Sequence, residues 1–68
     1  MEDYLVIRSY EKKTDSDISV TKGVKVFVIE KNFNGWWLVD TKEGQGFVPQ
    51  IILEKKCEFE QIVLEKGN

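Results

Sequence analysis

The stretch Val24-Lys25-Val26-Phe27-Val28-Ile29-Glu30-Lys31-Asn32-Phe33-Asn34-Gly35-Trp36-Trp37-Leu38-Val39-Asp40 decides the fold. Val24 to Ile29 is β-branched or aromatic at nearly every place. Under the two-residue period of a strand, Val24, Val26 and Val28 share one face while Lys25, Phe27 and Ile29 share the other. Val26 and Val28 are the inward positions. Asn32 to Gly35 closes the strand, because Asn and Gly accept the left-handed backbone of tight loops. The next strand begins at Trp36 and places the adjacent tryptophans on opposite faces, so only one of them turns to the core side.

On the N-terminal side, Tyr4-Leu5-Val6-Ile7 is a short β-prone run. Ser9 to Ser16 is polar without a steady period, a strand leading into a long loop. Ile18-Ser19-Val20 resumes alternation, and Thr21-Lys22-Gly23 supplies a turn. On the C-terminal side, Thr41 to Gly44 makes a hairpin turn and Gln45 to Val48 returns as a strand stopped by Pro49, which has no N–H for a ladder. Ile51-Ile52-Leu53 is a last apolar piece. Short β-prone runs between turns, with no helical period, predict an all-β fold, and at this length a small barrel. From Lys55 onward the character changes, and Cys57 to Leu64 reads equally as strand or helix. Residues 3–54 are the expected domain and 55–68 a loosely held tail or linker.

The chain has 68 residues, which limits it to one small domain burying about 60% of its unfolded surface. A deep catalytic cavity does not fit in that volume. With 41% apolar and 32% charged residues it reads as an ordinary globular sequence. The net charge of −2 gives no field toward nucleic acid. One cysteine and no histidine leave zinc without ligands and exclude an internal disulfide, so no cofactor is expected. Apolar stretches of a few residues exclude membrane insertion by a helix, and the N-terminus lacks the pattern of a secretory signal. The expectation is a monomeric domain of a larger cytoplasmic protein.

Several separated signals fall in one order: Val6-Ile7-Arg8-Ser9-Tyr10, the acidic loop Asp15-Ser16-Asp17-Ile18-Ser19, the turn Lys22-Gly23, the pair Trp36-Trp37, and Gly46-Phe47-Val48-Pro49. In this the sequence resembles an SH3 domain, from about Asp3 to Glu54. Tyr10 to Lys13, Ile29 to Asn32 and Gly35-Trp36-Trp37 are most similar to the SH3 domains of adaptors that also carry a PX domain. These include the phagocyte oxidase organiser and the tyrosine-kinase-substrate scaffolds of podosomes.

The resemblance implies a five-stranded SH3-like barrel and an interaction module for proline-rich peptide. The groove would lie between the long loop from Tyr10 to Ile18 and the shorter loop around Asn32 to Gly35. A polyproline II ligand arrives already extended, so ordering it costs little entropy. Trp36 would form the central wall, Tyr10 and Pro49 one proline slot, and Asp15 and Asp17 an attraction for a flanking Arg or Lys, with Glu30 adding to that field. Without the resemblance, Trp36 reads equally as sheet surface, Tyr10 as a core-edge ring, Asp15 and Asp17 as a solvated loop, and Pro49 as a strand stop. The family's buried aliphatic positions carry Val6, Ile18, Val20, Val26, Val28, Val39, Val48 and Leu53, and Gly46 reads as backbone spacing.

Two positions depart from the pattern. Arg8 and Ile52 stand where the family usually has tyrosines of the outer proline slot, and Ile51 replaces a polar residue. Losing stacking surface and hydrogen bonds, each worth about 0.5–1.5 kcal/mol, predicts weak or atypical specificity. Exposed Ile51 and Ile52 would then take an aliphatic side chain, Arg8 a ligand acid, and Phe33 would add a contact at the loop tip.

Other functions compete. A methyl-lysine reader on a similar barrel needs three or four convergent aromatics, for which Phe33 and Phe47 would have to join Tyr10 and Trp36. A helical or intramolecular ligand, with 55–68 covering the groove, is another, as is a structural domain whose groove is silent. Without histidine or a partnered nucleophile an enzyme is not expected.

Overall fold

The computed structural model describes residues 2–55. Five antiparallel strands, β1 (Glu2–Val6), β2 (Lys25–Lys31), β3 (Trp36–Thr41), β4 (Gly44–Pro49) and β5 (Leu53–Lys55), form one sheet in the order β4-β3-β2-β1-β5. A single 3₁₀ turn, Gln50–Ile52, joins β4 to β5. Ile18 to Val20, the piece expected to alternate as a strand, forms none: Val20 makes an isolated bridge with Tyr10, and Asp17, just before the piece, makes another with Phe47. Of the expected tail 55–68, Lys55 belongs to β5, where it pairs with Tyr4. The remainder, and the question of its order, lies outside the described residues.

Alternation builds the core. Val6, Val26, Val39 and Val48 are fully buried, with Val20, Val28, Tyr4 and Ile52 around them. Each of these aliphatic side chains contributes about 1.5–3 kcal/mol by leaving water. Ile18 and Leu53 are only half-buried and pack on this cluster from its rim. Tyr4, absent from the expected core, is buried because it shares the inward face of β1 with Val6 and meets the edge of Trp37 at 5.4 Å. Trp37 is therefore the tryptophan on the core side.

A register shift between β2 and β3 settles which face the charged end of β2 shows. Val28 lies opposite Val39, but Glu30 lies opposite Leu38. One extra residue at Ile29 inverts the alternation beyond it. Lys31 then falls opposite Trp37 and sits over that ring at 5.3 Å and over Tyr4 at 5.4 Å. It also forms an ion pair with Glu2.

The free edge of β4 does not stay free. Ile18 N–H donates to the Phe47 carbonyl at 3.1 Å, and Phe47 N–H donates to the Ser16 carbonyl at 3.0 Å. Tyr10 and Val20 exchange two bonds at 2.9 Å at the base of the same loop. The long loop thus covers an edge that would otherwise pair with other chains and closes the sheet into a barrel. This approach requires Gly46, since a Cβ there would lie 2.6 Å from the Ile18 Cβ. Gly46→Ala is expected to cost about 1–3 kcal/mol through that overlap. Denaturant unfolding should show the loss, with faster exchange of the Ile18 and Phe47 amides; unchanged stability and protection would refute the packing role.

Candidate functional site

Tyr10 is held by its bridge to Val20, and its ring meets Trp36 edge-on at 5.9 Å. Its hydroxyl donates to Asp17 Oδ2 at 2.5 Å. The same carboxylate accepts from Lys13 N–H at 3.0 Å, Thr14 N–H at 2.8 Å and the Thr14 hydroxyl at 2.9 Å. An ionised carboxylate has about four lone-pair sites, and here four donors fill them. Asp17 is only 6% exposed. It therefore differs from the free loop acid expected for pairing with a ligand cation: its lone pairs are spent within the loop.

The Tyr10 hydroxyl, helped by the Lys13 and Thr14 donors, holds the Asp17 carboxyl well below the usual carboxylate range. The reciprocal bond pushes the Tyr10 phenol up to about 12. The signs are opposite. The stability from Asp17 is fully present above its ordinary value of 3.8 and is lost as pH falls through the depressed one. That from Tyr10 is present below 10.0 and is lost as pH rises toward about 12. Between these limits the pair stays intact.

Trp36 is placed by the short loop. Its N–H donates to Asn34 Oδ1 at 3.0 Å, Gly35 takes a φ of 88° to admit the turn, and Gln50 N–H donates to the Gly35 carbonyl at 2.8 Å. Trp36 is 37% exposed and lies opposite Pro49 across β3 and β4. A cleft of about 220 Å³ separates the loops, with Thr14, Ser16 and Asp17 on one side and Asn32, Asn34, Trp36 and Phe47 on the other. The structure thus brings Tyr10, Asp17 and Trp36 together, with half-buried Pro49 beside the indole strand. Asp15, Arg8 and Glu30 are exposed, and Glu30 lies opposite Leu38. Phe33 stands fully in solvent, at 109% relative exposure, and is no part of the cleft wall.

Ile52 corrects the sequence reading. It was expected at the groove surface, yet it is 5% exposed and belongs to the core, whereas Ile51 is 73% exposed. The 3₁₀ turn is the reason. Strand alternation from Leu53 would have turned Ile51 inward, but three residues per turn rotate successive side chains apart and send Ile52 in. With no hydroxyl to keep in water, the isoleucine gains from burial. The cleft residues Thr14, Asn32 and Asn34 lie in the two loops expected to flank the groove but were not singled out there. Asn34 carried a usable signal, since an Asn two residues before Trp36 favours a side-chain turn onto that N–H.

Residues 6–50 match the family model of the SH3 domain. The chain belongs to the SH3 domain family. Human SH3 and PX domain-containing protein 2B is 48% identical to it over 54 residues, covering 79% of this chain and 6% of that protein. The mouse SH3 and PX domain-containing protein 2A has the same identity over 79% of this chain and 5% of its own length. The chain thus spans a small fraction of these relatives, whose names agree with the resemblance to PX-bearing adaptors. The solution structure of the SH3 domain of human KIAA0418 superposes with a TM-score of 0.73 at 38% identity, covering 81% of this chain and 69% of that one. The SH3 domain of yeast NBP2 superposes at 0.77 with 20% identity, over 84% of this chain and all of that one, a likeness of fold alone. SH3 domains are in general non-catalytic interaction modules that bind proline-rich peptides of other proteins.

For this SH3 domain, the reassignment of Ile52 is testable by substitution. Ile52→Ala should cost about 2–5 kcal/mol, whereas Ile51→Ala should change stability by less than about 0.5 kcal/mol. Chemical unfolding of both variants decides it, and the reverse order would return Ile52 to the surface.

Proposed function

We propose that this SH3 domain docks extended proline-rich segments of other proteins across Trp36, Tyr10 and Pro49. The observation that carries the reading is the half-open indole of Trp36, braced edge-on by Tyr10 beside a cleft with an ionised carboxylate in its wall. Flat aromatic surface suits proline rings, and the stiffness of the ligand limits the entropy lost. A ligand Arg or Lys next to the proline core enters the cleft, stacks on the Trp36 face and feels the charge of Asp17, with exposed Asp15 and Glu30 adding to the field.

The other end of the groove is altered. Arg8 and Ile51 are exposed there and Ile52 is withdrawn, so no pair of tyrosines frames an outer proline slot. Affinity for a plain proline-x-x-proline peptide is micromolar or weaker, and ligands with an acid opposite Arg8 and an aliphatic residue near Ile51 are preferred. Phe33 extends the contact beyond the short loop. Residues 3–54 act as a monomeric module of a larger cytoplasmic adaptor; the names of the relatives, which carry a PX domain beside SH3, support the multidomain part of this reading.

The test is a titration of ¹⁵N-labelled protein with proline-rich peptides in both orientations. The largest shifts are expected at the Trp36 indole N–H and at the amides of Tyr10 and Asp17. Trp36→Lys should weaken binding by at least about tenfold, or roughly 1.4 kcal/mol. Shifts that bypass these groups, or a stronger response to methyl-lysine peptides, would end this reading.

A further inference from the structure

A second cleft, of about 420 Å³, shares no lining residue with the aromatic groove. It lies where the turn around Lys22-Gly23 meets the start of β2 and the β3–β4 hairpin. Val20, Val24 and Val26 supply its apolar surface, and Val20 and Val26 are themselves core residues. Lys22, Lys25 and Lys42 stand around it against one acid, Glu43. Lys25 is drawn to Asp3 at 3.7 Å, while Lys22 and Lys42 form no ion pair among the described residues.

Four backbone donors of the walls are engaged within the fold. Lys22 N–H donates to the Ser9 hydroxyl, Gly23 N–H to the Val6 carbonyl, Val24 N–H to the Thr21 carbonyl, and Glu43 N–H to the Thr41 hydroxyl. A compact phosphate is held best by convergent N–H groups, and these are already spent. What remains is a valine floor within a rim of ammonium groups. Such a surface suits an apolar side chain flanked by carboxylates, and a cleft of this size accommodates one large side chain with its neighbouring backbone.

We propose that this cleft is a second docking site, taking an acidic peptide segment of a partner protein that lowers one large apolar side chain onto Val20, Val24 and Val26 between Lys22 and Lys42. The domain then engages a partner at two faces of opposite charge preference, a basic proline-rich segment at Trp36 and an acidic one here. Linking two weak contacts raises overall affinity through effective concentration.

The experiment titrates the ¹⁵N-labelled full chain with the blocked peptide Asp-Glu-Phe-Glu-Asp and with its Phe-to-Ala counterpart. Saturable shifts are expected at Thr21 to Val26 and Thr41 to Glu43, weakening with salt and lost with the alanine peptide. The double variant Lys22→Glu/Lys42→Glu should bind about tenfold more weakly while keeping the response of Trp36 to a proline-rich peptide, which separates lost docking from unfolding. Three results would overturn the proposal. One is the same shifts with inorganic phosphate alone. Another is acidic-peptide shifts at Trp36 and Tyr10 instead. The third is a cleft already perturbed in the free chain and released by Glu58→Lys/Glu60→Lys, which would assign it to the chain's own C-terminal segment.

Discussion

The Asp17 carboxylate accepts the Tyr10 hydroxyl, two backbone N–H groups and the Thr14 hydroxyl, and in doing so it sets the shape of the long loop. A buried charge is costly unless every lone pair is answered, so the arrangement is close to all or nothing. Once it forms, the Tyr10 ring is fixed against Trp36, and the neighbouring residues Ser16 and Ile18 are positioned to bond Phe47 on the edge of β4. Barrel closure and groove geometry therefore depend on the same few bonds.

That coupling has a consequence for specificity. On the proposed docking, a ligand cation at the cleft would meet an Asp17 whose oxygens are occupied, so pairing with it would add charge attraction without demanding a new geometry. Gly46 contributes from the opposite side, because only the absence of a Cβ lets Ile18 approach β4. Arg8 is exposed and Ile52 is turned into the core, which supports the proposal that recognition lies on the Trp36 side of the groove.

Much of this was legible in the sequence where one physical rule acted alone. Two-residue alternation identified Val26 and Val28, the resemblance to the family added Val39 and Val48, and the adjacency of Trp36 and Trp37 required one ring in and one out. Legibility ended where a rule was interrupted. The extra residue at Ile29 inverts the faces of Glu30 and Lys31, and no local composition marks it. The 3₁₀ turn after Pro49 sends Ile52 into the core and leaves Ile51 exposed, where the resemblance had implied that both lie on the surface. Asp17 was expected as a site residue from the resemblance, but the four donors that bury it come from a loop whose path only the tertiary bonds determine. Ile18 to Val20 alternates like a strand yet is used as a bridge, since its partners are single residues on either side.

The most direct test is a ¹³C-detected titration of the Asp17 carboxyl group in the intact chain and in Tyr10→Phe. If the loop is organised as described, Asp17 titrates well below its ordinary value of 3.8, and removal of the phenol hydroxyl moves its midpoint upward. A midpoint near 3.8 that ignores the substitution would show that the carboxylate does not hold the loop.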